Sequence, residues 1–192
     1  IMLSFIFLSE ENQNASKKHL DLALENHFCD LATVKLLISN MTMLSPDDRS
    51  QYYFLTIRNN IYSIILARIM LAEATEFELA DDCESKIANA KRSFVRLAPD
   101  ERLVCLYDST VFQNGKGGVA LSDWTIYWKI FLDPAEEIDY ANISEISIDT
   151  DDVVYIKGKR SIIISDSDSH LLYRILSEII DYIDFSRSLV DY

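Results

Sequence analysis

Glycine and proline are scarce in this chain, four and three among 192 residues. That scarcity excludes a flexible linker between halves and the composition of a disordered protein. Cysteine and histidine are equally few, three of each. Cys29, Cys83 and Cys105 show no CxxC spacing, and His19, His27 and His170 complete no zinc pattern with them. We therefore read the cysteines as small hydrophobes in a protein of a reducing, cytoplasmic compartment. Cations are lacking where they would matter most. Up to residue 98, ten Lys plus Arg stand against thirteen Asp plus Glu, a net of −3; from residue 99 on, eight stand against eighteen, a net of −10. An acidic second half repels phosphate backbones and anionic headgroups, which excludes nucleic acid as the expected partner and favours a basic protein.

Long apolar runs are missing at the N-terminus as well. IMLSFIFL is eight residues long and has no basic region before it, so it is expected neither to span a bilayer nor to act as a signal peptide, but to dock on the core. Chemical motifs are absent too. Gly115-Lys116-Gly117-Gly118 lacks the Walker spacing, and no Ser or Thr follows the lysine. Asp149, Asp151 and Asp152, then Asp166 and Asp168, lack the glycine and glutamate of a calcium loop and read as turns and a helix cap. His170 has no nucleophile beside it in sequence. We expect no enzyme, no metal and no cofactor.

What is present divides into two halves. Residues 16–40 carry apolar positions at helical spacing, with a break near His27 and Cys29. Ser45, Pro46, Asp47 and Asp48 mark a helix start: a hydroxyl cap, proline at the first helical position and two carboxylates at the positive end of the dipole. From there Phe54, Ile57, Ile61, Ile64, Ile65 and Ile69 form a stripe, widened by Tyr52, Leu55, Tyr62, Leu66 and Met70 to most of the circumference. Such a helix is expected at the centre of a bundle, and Arg68 argues against a membrane span. A further helix is expected over residues 78–97, with Leu79, Cys83, Ile87, Ala90, Phe94 and Leu97 on one face. Lys86, Lys91, Arg92 and Arg96 then form its solvated face.

After Pro99 the period changes from helix to strand. Strands are expected at 103–107, at 118–121 and 125–129 as a hairpin across Ser122-Asp123-Trp124, around Ile138 to Ile143, at 145–149, 153–156 and 161–164. A closing helix follows, with Leu172, Ile175, Leu176, Ile179, Ile180 and Ile183 as its apolar stripe. The fold class is thus α+β: a helical domain over residues 1–98, then an antiparallel barrel or sandwich of six to seven strands with a C-terminal capping helix over 99–192.

The run DSTVFQNGKGGVALSDWTIYWK resembles the β-hairpin of bacterial pleckstrin-homology-like (PH-like) domains, with its glycine-lysine turn, small-apolar strand, Ser-Asp turn and aromatic strand. The resemblance covers about residues 99–182. It implies a binding or scaffolding module that acts through protein-protein contact. Phosphoinositide-binding members carry several cations on the first two strands and their loop, where this chain has only Lys116. Core packing is the first reading of the aromatics at 124–128; the candidate interaction surface is Trp124, Tyr127, Trp128 and Lys129, because alternation places Tyr127 and Trp128 on opposite faces and leaves one of them to face a partner. An acidic inhibitor or immunity-type protein that blocks a basic site on a nuclease or toxin is the alternative reading.

Overall fold

The computed structural model describes residues 46–190 apart from 73 and 131. The segment at 1–8, the helices expected within 16–40 and the Ser45 cap lie outside the described residues. In chain order the elements are α1 (Pro46–Leu71), β1 (Phe77–Leu79), a 3-10 turn (Ala80–Asp82), α2 (Glu84–Ser93), β2 (Leu103–Asp108), β3 (Gly118–Ser122), β4 (Thr125–Lys129), β5 (Glu136–Asp139), a second 3-10 turn (Tyr140–Asn142), β6 (Ile146–Ile148), β7 (Val154–Ile156) and α3 (Asp166–Val190). The α+β class holds among the described residues.

The chain groups into two compact units. One holds residues up to Asn60 together with Ser186–Tyr192, the other Ile61–Phe185. In the first, Asn60 Nδ2 donates to Thr56 O at 2.9 Å, and the Arg58 guanidinium lies 5.5 Å from the Phe54 ring centroid. Helices α1 and α3 run through both units; the sheets, α2 and the surfaces described below belong to the second.

Helix α1 is described from Pro46, and the start expected at Ser45-Pro46 lies at the edge of the described residues. Its stretch Tyr53–Leu71 is long and apolar enough to cross a membrane by length and composition, and 28% of it is buried. The helices expected to surround it lie outside the described residues. Ile61, Ile65 and Ile69, four residues apart, are buried as one stripe, while Met70 and Leu71 are exposed. Thr56, on the opposite face nearer the start of the helix, is fully buried too.

The helix expected over 78–97 is shorter than its pattern. Its first residues are taken by β1, whose Phe77, Glu78 and Leu79 pair with Tyr107, Leu106 and Cys105 of β2. The ladder satisfies backbone groups that the first turn of a helix would leave open. The helix proper, α2, starts at Glu84 and ends at Ser93, where the Phe94 N–H donates to Ala90 O at 2.8 Å.

Strands β1 to β5 form one antiparallel sheet in sequence order, and β6 pairs with β7 in a second. The strand expected at 161–164 is reduced to a single bridge, Val154 with Ile162. No ladder joins the two sheets among the described residues, so the barrel is not closed. On one face of the large sheet Leu106, Ala120 and Tyr127 are cross-strand neighbours. They share an apolar cluster with Cys83, Ile87, Ala90, Phe94 and Val95, so α2 and the sheet, from either side of residue 98, contribute to one core. The alternate positions Cys105, Tyr107, Val119, Leu121, Ile126 and Trp128 are buried as well. Helix α3 buries Leu172, Ile175, Leu176, Ile179 and Ile183, the stripe its period requires.

Candidate interaction surface

The aromatic strand expected to meet a partner is a core strand. Tyr127 and Trp128 are each 2% exposed. The reason is that β4 is inner in the sheet, flanked by β3 and β5, and is covered on both faces, with α2 over the Tyr127 side. Alternation separates the two side chains correctly but brings neither to solvent. Trp124 and Lys129 are half-buried. Trp124 sits in the β3–β4 turn, where its carbonyl accepts from Tyr140 N at 3.0 Å, and Lys129 Nζ lies 3.2 Å from Ser93 Oγ at the end of α2. The four residues do not form one exposed patch.

The turn itself is held by buried polar groups. Asp123, fully buried, accepts from Arg102 N at 3.0 Å and from Arg102 Nε at 2.9 Å. Ser122 Oγ accepts from the N–H groups of Trp124 and Thr125 at 3.0 and 2.7 Å, and its hydroxyl meets the buried Glu101 carboxylate. The same carboxylate accepts from Tyr127 Oη at 2.9 Å and from Ala98 N at 2.8 Å. Burial, reinforced by the Glu101 carboxylate, pushes the Tyr127 phenol well above its ordinary range. A buried carboxylate with three donors is a fastener, because each lost partner would leave a desolvated group.

An exposed apolar pair lies one loop earlier, more open to water than the adjacent Met70 and Leu71 at the end of α1. Residues 109–117 join β2 to β3, and at their tip Val111 is 91% and Phe112 85% exposed. Adjacent large apolar side chains so open to water cost free energy unless something covers them, whereas single ones are ordinary. The backbone beneath them is fixed. Asp108 Oδ1 accepts from Thr110 N at 3.0 Å and Thr110 Oγ1 at 2.6 Å, and Asp108 Oδ2 accepts from Gly115 N at 2.8 Å. Thr110 Oγ1 in turn accepts from Asn114 N at 2.9 Å, and Gln113 N donates to Thr110 O at 2.9 Å.

Helix α2 clamps this loop. Asn89 Nδ2 donates to Asn114 O at 2.8 Å and Ser93 Oγ to Lys116 O at 2.7 Å. Gly115 has φ +72°, and a side chain there would strike the Lys86 backbone. Gly118 has φ +138°, and a Cβ would run into the Tyr107 carbonyl. Both glycines are thus needed for close backbone approach and not for a phosphate. Lys86 is held by Glu78, and this hydrogen bond raises its amine above its ordinary value. Lys91 and Arg92, beside Ser93 on α2, and Lys116 on the loop are exposed.

Sequence reasoning treated residues 109–117 as a connection and passed over Val111 and Phe112. The available signal was an apolar pair inside a run of Ser, Thr, Gln, Asn and Gly that has no period to bury it. Of the acidic clusters, Asp149 holds its own turn, accepting from Asp151 N at 2.9 Å, Val153 N at 3.0 Å and Tyr155 Oη at 2.9 Å. Asp168 is buried and accepts from Thr75 Oγ1 at 2.5 Å and Ser165 Oγ at 2.6 Å, tying the start of α3 to the segment before β1. Among the described residues no three His, Cys, Asp or Glu side chains converge as metal ligands. In comparisons with known proteins, no family model matches the chain, and no curated protein or solved structure is significantly similar to it.

Proposed function

We propose that this chain is a non-enzymatic binding protein on a PH-like fold, and that it engages a protein partner by inserting Val111 and Phe112 into an apolar cleft. The observation that carries this reading is the loop tip: two exposed apolar side chains on a backbone already fixed by Asp108, Thr110 and α2. A preorganised loop loses little further entropy on binding, so the contact area is converted into affinity more fully than on a free loop. The order of elements supports the fold assignment, with strands β2 to β7 and the bridged Ile162 preceding one closing helix.

Charge selects the partner class. Exposed Lys116 on the loop, and exposed Lys91 and Arg92 on the helix that clamps it, favour carboxylates on the partner, while the net charge of −13 favours basic groups further out. The same net charge disfavours an anionic bilayer as the surface the tip enters. The test is a Val111→Ser, Phe112→Ser double variant, which changes only exposed side chains and should leave stability within about 0.5 kcal/mol. For a partner recovered with the native chain and then purified, loss of such an anchor should weaken affinity about 30-fold or more. Undiminished affinity in the double variant would refute the assignment.

A further inference from the structure

We propose that the cavity between the end of α1 and the first turns of α3 binds the phosphate group of a small soluble phosphate ester. The cavity measures about 270 Å³, and its polar lining is Arg68, Ser167, His170 and Arg174, with Leu71 and Leu171 among its apolar walls. No carboxylate lines it among the described residues. In a chain of net charge −13 with only eighteen Lys plus Arg, two guanidiniums and an imidazole facing one cavity run against the composition. An anion between the two guanidiniums would be attracted to both.

Two of these groups are held in place from outside the cavity lining. Arg68 Nε lies 2.6 Å from Glu178 Oε2, and His170 Nε2 lies 2.8 Å from Asp152 Oδ1. Arg174 is exposed and has no hydrogen bond or ion pair among the described residues. An unoccupied planar fork of N–H donors matches phosphate oxygens, and a hydroxyl at Ser167 adds a donor. The donors outnumber what one carboxylate accepts, whereas a phosphate monoester offers three oxygens and nearly two charges. Inorganic phosphate would leave part of the volume empty, and Leu71 and Leu171 suit a short carbon chain there. The cavity shares no residue with the 109–117 loop, so each proposal stands or falls alone.

The full chain, titrated with inorganic phosphate and with glycerol phosphate at constant ionic strength, should show saturable amide NMR shifts confined to residues 68–74 and 167–174. The dissociation constant for glycerol phosphate should lie below about 1 mM, a binding free energy of roughly −4 kcal/mol or stronger. Arg174→Ala should weaken it at least tenfold with the thermal midpoint unchanged, since Arg174 holds nothing in the free protein, and Arg68→Gln should weaken it as well. Shifts that sodium chloride reproduces, failure to saturate, or unchanged affinity in Arg174→Ala would overturn the site. Cosedimentation with phosphatidic acid vesicles and no response to the soluble esters would overturn the soluble ligand in favour of a lipid headgroup.

Discussion

Glu101 shows how one side chain can join segments that the sequence keeps apart. Its carboxylate is buried and receives the Ser122 and Tyr127 hydroxyls and the Ala98 N–H, so it binds the end of the α2–β2 connection to the β3–β4 hairpin. Replacing it by alanine leaves the Ala98 N–H without its carboxylate and removes a partner from two buried hydroxyls, although Tyr127 Oη retains Arg96 O at 3.2 Å. We expect Glu101→Ala to lower stability by about 2–4 kcal/mol in urea unfolding. A loss under about 0.5 kcal/mol would show the network to be dispensable. Its contact with Ala98 is local, but the two hydroxyls it joins lie 21 and 26 residues further on, where no sequence pattern points to Glu101. The aromatic pair teaches the converse. Tyr127 and Trp128 stand out in the sequence as candidate contacts, and both are interior because the strand that carries them is covered on two sides. Val111 and Phe112, less conspicuous, are the exposed ones.

Among the elements, those with a complete local pattern were legible. The hairpin was expected at 118–121 and 125–129 and is found at Gly118–Ser122 and Thr125–Lys129, because alternation and the Ser-Asp turn fix its register within a few residues. Helix α3 was legible from its isoleucine and leucine stripe. Strand β1 was not, since three residues hold no period and its extended state is fixed by pairing with a strand some thirty positions later. The 109–117 loop is the element on which function is proposed to rest, and its stiffness comes from Asp108. Asp108→Ala removes the acceptor for Thr110 N, Thr110 Oγ1 and Gly115 N. We expect faster amide exchange at Thr110 and Gly115 and a stability loss of about 1–2 kcal/mol. Unaltered exchange at both amides would mean that α2 alone holds the loop.

Across the whole molecule, burial of weak acids sets the response to alkali. Tyr107, Tyr127, Tyr140 and Cys105 are all raised, chiefly by burial, and Cys83 is pushed up to about 11 by burial and then by Glu78. In the unfolded chain these groups lose their protons from about pH 9 upward, near the ordinary value of 9.0 for Cys83, while the folded chain retains them. The folded state then binds more protons, so stability falls as pH rises. Their contribution is complete below pH 9 and, for Cys83, is lost as pH climbs through about 11. The urea midpoint should therefore stay level from pH 7 to about 8.5 and drop steadily above about 9; a flat midpoint to pH 11 would contradict it. Cys83 and Cys105 are free and buried, and they become acidic only when the core opens. What the sequence determined by itself is what depends on neighbours within a turn or a hairpin: the α+β class, the β3–β4 hairpin and the apolar stripe of α3. Only the tertiary structure decided that Phe77–Leu79 is a strand, that the two sheets do not close, and that Phe112 faces solvent while Trp128 does not. Period tells which residues share a face, but whether that face meets water depends on segments distant in the chain.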